Sequence, residues 1–365
     1  MNMRINKLMS WLAENDYDFA FVQTKANVFY LSGFYSEPHE RLIGLFIFPN
    51  DQPVLICPNM ERNQAKSAGW EYEIISYSDT DNPWDLIHQL LKMQNKSGHA
   101  IAIEKEQISF TRANIFLHMF PHTTFHSIED KLNSLRLIKD EKELSVLKQA
   151  AELADFGVEV GVNTIKEGKT EMEILALIEY ELKRKGVREM SFSTMVLTGA
   201  NTADPHGNPG QTKIKKGDFV LFDLGVVLDG YCSDITRTVI YQEVSDKQRH
   251  IYETVLEAQN AALSLCKVGS KIGDIDTIAR DYIEKAGYGE YFPHRIGHGL
   301  GIEVHEFPSM NKNNQDLLKE GFVFTVEPGI YEPSIGGVRI EDDIVITKDG
   351  FRSLTSFPKE LLVVK

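Results

Sequence analysis

The chain has 365 residues, too many for one ordinary hydrophobic core and enough for two domains of normal size. Its 39 Lys and Arg against 53 Asp and Glu leave a net charge of −14 with no basic run, which argues against nucleic acid or an anionic membrane as partner. No apolar leader and no spanning segment is visible, and the three cysteines, Cys57, Cys232 and Cys266, are odd in number and scattered, so the expected setting is a reducing cytoplasm.

Ile5, Leu8, Met9 and Leu12 open the chain at the spacing of an amphipathic helix. Extended runs then fall at 19–22, 42–48, 54–57, 72–75 and 100–103, separated by helical segments, which is the pattern of a small α/β layer domain. Residues 121–137 read as a connection, with the domain boundary placed at 128/129. Asp140-x-x-Glu143 is a capping box for a long helix whose apolar stripe runs through Leu144, Leu147, Ala151, Ala154 and Val158. Thr170-x-x-Glu173 starts a second helix that stops at Gly186, Ser245-x-x-Gln248 a third towards Cys266, and a fourth spans about 274–287. Strands are expected at about 193–198, 219–227, 231–241, 322–327 and 338–347. Hairpins rather than crossovers join them, so the sheet should be largely antiparallel and covered by helices.

The chemistry concentrates in this second half. Asp229-Gly230 between two β-rich runs is a type I′ hairpin signal. If Leu228 pairs with Tyr231, Asp223 falls opposite Thr236 and Asp234 opposite Gly225, which sets the two aspartates on one face roughly 7–8 Å apart. Carboxylates so placed repel unless a cation lies between them, the alternative being a solvated strand face. Cys232 lies beside them and reads as packing. His294, His298 and His305 stand among glycines that let backbone approach closely. Glu327 ends an apolar strand at Pro328, and Arg339 and Glu341 share a face of another, where a surface salt-bridge ladder is the plainer reading. Asp223, Asp234, His298, Glu327 and Glu341 together supply four hard carboxylates and one imidazole. That is the donor set of a dinuclear Mn²⁺ or Co²⁺ site rather than a thiolate-rich structural zinc site.

These motifs, Asp-x-Gly with Tyr-x-Ser-Asp-x-Thr-Arg-Thr, His-Arg-x-Gly-His-Gly-x-Gly with Val-His-Glu, Glu-Pro-Gly-x-Tyr and Val-Arg-x-Glu-Asp, resemble those of the pita-bread metallopeptidases. Within that family the chain is most similar to the bacterial Xaa-Pro dipeptidases, or prolidases, over essentially its whole length. Residues 1–128 resemble their creatinase-type N-terminal domain, including Phe29-Tyr-Leu-Ser-Gly-Phe34 and Glu37-Pro-His-Glu-Arg41, and residues 129–365 resemble the catalytic domain. The resemblance implies an α/β (α+β) protein with a curved, largely antiparallel catalytic sheet, a homodimer, and two divalent ions per subunit, Mn²⁺ foremost with Co²⁺ or Zn²⁺ as alternatives. It implies that Asp223 binds one ion, that Asp234 and Glu341 bridge the pair, and that His298 and Glu327 complete the coordination of the second. His206, in Asp204-Pro-His-Gly-Asn-Pro209, matches the histidine near the scissile bond. His305 and Arg339 match other polar pocket residues, and His294 and Tyr231 fall on pocket positions.

Two cations bridged by water would hold a hydroxide near neutral pH as nucleophile, with Glu327 as proton acceptor. His206 and His305 would hydrogen-bond the oxyanion or pass a proton to the leaving imino nitrogen. The Xaa-Pro bond has no N–H, so the proline ring needs an apolar slot and the free carboxylate a guanidinium. Arg339, Arg295 and Arg41 are the candidates, the last sharing with His39 a loop that would serve only if it reaches a site, its own or that of a second subunit. The expected reaction is release of proline from Xaa-Pro dipeptides. Its rivals are aminopeptidase P, with the same ligands and longer peptides; methionyl aminopeptidase, which does not need the extra N-terminal domain; and a non-catalytic binding module, against which the complete ligand set stands.

Overall fold

A computed structural model of the chain describes residues 3–365 and divides between Arg136 and Leu137 into two compact units. The first is built on a mixed six-stranded sheet ordered Glu73–Tyr77, Val54–Pro58, Gly44–Ile47, Phe19–Val22, Ala100–Ile103, Thr124–Ser127. Phe19–Val22 runs antiparallel to Gly44–Ile47 and parallel to Ala100–Ile103. All four of its residues are buried, the expected condition of an apolar strand covered on both faces. Phe19, Phe21, Phe46 and Phe116 fill the core around it.

The expected connection at 121–137 is instead an edge strand, Thr124–Ser127, followed by a helix, Glu129–Arg136. The strand escapes a hydrophobic reading because it is short, mostly polar and at the sheet edge, with no residue fully buried. Tyr30 donates to the Leu135 carbonyl at 2.6 Å and Arg136 to Asn27 Oδ1 at 2.9 Å, so the helix belongs to the first unit and the chain divides after it, not at 128/129.

In the second unit the Asp229-Gly230 turn takes φ of 46° and 83°, Leu228 pairs with Tyr231, and Asp223 stands opposite Thr236, as the hairpin register requires. Phe219–Leu224 and Ile235–Tyr241 are the centre of a four-stranded sheet flanked by Met195–Thr198 and Val363–Val364, the last pairing parallel. A five-stranded antiparallel sheet follows the order Glu306–Met310, Gly297–Gly299, Val323–Val326, Asp342–Thr347, Gly350–Ser353. Capping boxes at Asp140, Thr170 and Ser245 open the helices Glu141–Thr164, Glu171–Arg184 and Asp246–Ser264, and Ile272–Lys285 is the fourth. The long helix lies close on the hairpin: a Cβ on Gly157 would meet Leu224 at 2.9 Å and one on Gly161 would meet Phe222 at 2.7 Å. Phe222 and Leu224 thus face this helix, and Asp223 between them points to the opposite side.

The single strand expected over 338–347 is two. Gly336–Arg339 pairs with Gly329–Glu332 in a separate ribbon, and Asp342–Thr347 enters the five-stranded sheet. Glu341 lies at the crossing, where its N–H donates to the Thr236 carbonyl at 3.1 Å, a bond to the other sheet that no one-strand pattern encodes. The strands Gly297–Gly299 and Glu306–Met310 are not among those expected from the sequence: glycine is a weak strand former, and Pro308 interrupts the second. Among the described residues no helix is long and apolar enough to cross a membrane.

Candidate active site

Each of the five candidate ligands sits where regular structure starts, stops or breaks, except Asp223, which is within its strand. Asp234 lies between Tyr231–Cys232 and Ile235–Tyr241, His298 at the register shift inside Gly297–Gly299, Glu327 just beyond Val323–Val326, and Glu341 at the crossing described above. The hairpin can bend at Asp234 because Gly225 has no side chain: a Cβ there would lie 1.8 Å from the Ser233 carbonyl oxygen.

One ligand atom each from Asp234, His298 and Glu341 lies within 4.8 Å of the other two, and all three residues are buried. His298 Nε2 is 3.4 Å from Glu327 Oε1 and 3.7 Å from Asp234 Oδ2. His298 Nδ1 stands 3.2 Å from the Gly299 carbonyl, which fixes the proton on that nitrogen and leaves the Nε2 lone pair facing the carboxylates. Asp223 Oδ1, Asp234 Oδ1 and Glu341 Oε1 are buried without a hydrogen-bond donor, a costly condition for carboxylates unless cations complete it. Thr236 Oγ1 donates to Glu341 Oε2 at 2.6 Å and so aims its other oxygen.

The electrostatics agree with this geometry. Burial, then the charges of Glu341 and Asp223, hold the Asp234 carboxyl well above its ordinary value, and burial with Glu327 and Asp223 does the same to Glu341. Burial, opposed by Arg339, pushes Glu327 up to about 7. His298 is pushed down to about 3 by burial and the neighbouring His305, so its imidazole is neutral, as a metal ligand must be. A buried cluster of acids that resist ionisation around a neutral imidazole fits divalent cations, and these five residues could hold them.

Arg339, His294 and Tyr331 form a fixed wall beside the cluster. Arg339 Nη2 donates to Asp223 Oδ2, Nη1 to the Tyr331 hydroxyl at 2.7 Å and the Pro205 carbonyl at 3.3 Å, and Nε to Thr236 Oγ1 at 3.1 Å. Burial lowers His294 to about 4, so it is neutral; Nδ1–H donates to the Arg295 carbonyl at 2.8 Å and Nε2 accepts from Tyr331, also at 2.8 Å. The guanidinium of Arg339 is therefore committed to protein acceptors. Arg295 has its Nη1 on Ser309 Oγ at 3.0 Å and is exposed.

The cluster opens on a cavity of about 380 Å³ that also takes in His206, His305, His294, Arg295 and Arg339. The His305 ring stands edge-on to His298 at 4.2 Å. Residues 145–348 of the chain match the model of metallopeptidase family M24, and residues 4–138 match the creatinase/prolidase N-terminal domain. The chain belongs to metallopeptidase family M24. The Bacillus subtilis protein YkvY, provisionally named a dipeptidase, is 59% identical to it over 361 residues, 99% of either chain. Among solved structures, the prolidase of Pyrococcus horikoshii OT3 superposes with a TM-score of 0.91 at 35% identity, over 99% of this chain and 100% of that one. The X-Pro aminopeptidase of Thermotoga maritima MSB8 superposes with a TM-score of 0.89 at 33% identity, over 99% of each chain.

This metallopeptidase is thus a hydrolase of peptide bonds on the pita-bread fold, with a creatinase-type domain ahead of it. Not every residue singled out in its sequence reaches the cavity. Tyr231 is three positions from Asp234 and so falls on the other strand face, where its hydroxyl donates to Glu143 Oε1 at 2.8 Å. Cys232 is buried as expected, its thiol directed at the Ile302 carbonyl. His39 and Arg41 belong to the first unit, where Arg41 pairs with Asp79 at 3.0 Å and lines a separate cavity with Tyr77, Trp84 and Arg112. Conversely, the apolar liners Phe192, Met195 and Val304 and the hydroxyl of Tyr331 were not anticipated. Phe192 and Val304, outside any strand or helix, carry no periodic signal; Met195 lies in an expected strand whose pattern does not say which face meets the cavity; and Tyr331 stands in the sequence only as part of a motif.

Proposed function

We propose that this metallopeptidase hydrolyses Xaa-Pro dipeptides and releases proline, with two divalent ions, Mn²⁺ foremost, held by Asp223, Asp234, His298, Glu327 and Glu341. The observation that carries the hydrolytic reading is the convergence of these buried carboxylates, with unpaired oxygens, on one neutral imidazole inside a cavity that holds three further histidines. When bound, the ions would supply Lewis acidity and a water acidified to serve as nucleophile.

The chain's own groups do the rest. Glu327 offers a carboxylate to accept a proton. His305, lowered from its usual value by burial, is neutral and would present one N–H to a developing oxyanion, while His206, which lines the cavity, would return a proton to the imino nitrogen. Phe192, Met195 and Val304 give apolar faces for the pyrrolidine ring and the residue before it. Arg295 keeps donors for the terminal carboxylate, whereas Arg339 holds Asp223 and, through the Pro205 carbonyl, the segment bearing His206.

Preference for Xaa-Pro is supported by the prolidase likeness, and a cytoplasmic location by three buried free thiols. A homodimer belongs to the same reading, with the His39–Arg41 loop as a contributor: Arg41→Ala should then raise KM for dipeptides beyond any effect on stability, and an unchanged KM removes it. The likeness to the Thermotoga aminopeptidase favours a second reading, cleavage ahead of proline in longer peptides. Mn²⁺-reloaded enzyme assayed on Leu-Pro and Leu-Pro-Pro separates the two. Proline released from the dipeptide alone supports the dipeptidase, and faster cleavage of the tripeptide supports the aminopeptidase.

A further inference from the structure

The helix Ile272–Lys285 buries an apolar face made of Ile272, Ile275, Ala279 and Ile283, and in the middle of it lies a carboxylate, Asp276, only 1% exposed. A charge there is tolerated only if it is paired and hydrogen-bonded. Asp276 Oδ1 accepts the Ile296 N–H at 2.9 Å and Arg280 Nη2 at 3.1 Å, and Oδ2 accepts Arg280 Nε at 3.1 Å. Arg280 in turn donates to the Phe292 carbonyl at 2.9 Å and the His294 carbonyl at 2.8 Å, with its guanidinium over the Phe292 ring at 4.4 Å. One helical turn thereby holds the backbone at alternate residues 292, 294 and 296.

Of the side chains carried by the clasped segment, those of His294 and Arg295 line the catalytic cavity. Its next link is Ile296, whose carbonyl accepts the N–H of Glu327 at 2.8 Å. We infer that Asp276 and Arg280 are positioning residues: they lie outside the cavity and act on the reaction by setting where His294 and Arg295 meet the substrate. The inference rests on the reading that these two residues face an Xaa-Pro dipeptide. A fork of planar donors is needed to reach two carbonyls and a carboxylate together, which a lysine ammonium cannot do.

The test uses full-length, Mn²⁺-loaded enzyme with Arg280→Lys and Asp276→Asn, each compared with wild type. For Leu-Pro, KM should rise about tenfold while kcat changes by less than about threefold, with bound metal unaltered. Hydrogen exchange, which needs no substrate, should quicken at 292–296 and stay unchanged over the helix 272–285. A lower melting temperature with KM unchanged would leave only a structural staple and overturn the proposal, as would loss of bound metal with a parallel fall in kcat. If wild type fails to cleave Leu-Pro, the substrate reading falls by itself. Exchange at 292–296 then decides the positioning role, and unaltered rates there would end it.

Discussion

Arg339 touches more of the site than any ligand does: its donors reach Asp223, Tyr331, Pro205 and Thr236, and Thr236 in turn holds Glu341. A lysine keeps the charge but offers one nitrogen in place of the fork, so Arg339→Lys should lower kcat/KM by about 10²-fold or more in steady-state assays. A loss under about threefold would show that charge alone suffices. Tyr331→Phe removes one link, leaving His294 Nε2 without its donor and Arg339 Nη1 without one acceptor. Its expected cost is about tenfold in kcat/KM, with the fold intact by circular dichroism.

The carboxyls of the cluster give a pH signature. Asp234 and Glu341 stand above their ordinary values in the folded protein, and Glu327 is raised from 4.5 to about 7. An acid whose folded pKa exceeds its unfolded one binds its proton more tightly when folded. Its contribution to stability is complete below the unfolded value and lost as pH rises through the folded one. The acids' share of the metal-free protein's stability should therefore fall between about pH 4.5 and about pH 7, while the lowered His294 and His298 act with the opposite sign up to 6.5. Bound Mn²⁺ cancels the acids' loss, so the gain from Mn²⁺ should grow with pH. The measurement is melting temperature with and without Mn²⁺ across that range. A metal-induced gain that shrinks as pH rises would contradict it.

At the scale of elements, the hairpin is held from behind by the long helix, and its two glycines are what allow the approach. Gly161→Ala would drive a methyl into Phe222, the neighbour of Asp223, and should cost about 1–3 kcal/mol in urea unfolding; no loss would mean the helix can withdraw freely. This scale also shows what a sequence can disclose. The hairpin register followed from Asp229-Gly230 and strand alternation, and three capping boxes marked three helix starts, because each is a local physical rule. The split at Glu341 follows from a bond to Thr236 more than a hundred residues earlier in the chain, and nothing local announces it. Tyr231 is a different case: the motif names the residue without its direction, and strand alternation, a local rule, turns it away from Asp234 and towards Glu143.

For the whole molecule, the five candidate ligands span residues 223–341, and it is the fold of the second unit that brings them to one buried point. Motif spacing points to those residues, while the apolar liners Phe192, Met195 and Val304 meet the cavity only through the three-dimensional path of the chain. The central claim is that this point binds two divalent ions and that hydrolysis depends on them. The most direct test is metal content by mass spectrometry of Mn²⁺-reloaded wild type and Glu341→Gln, paired with Leu-Pro hydrolysis of the same samples. The account predicts about two ions per wild-type chain, at most about one in the variant, and activity reduced by about 10³-fold or more. Full activity in chelator-stripped wild type, or two tightly held ions and unchanged turnover in the variant, would contradict it.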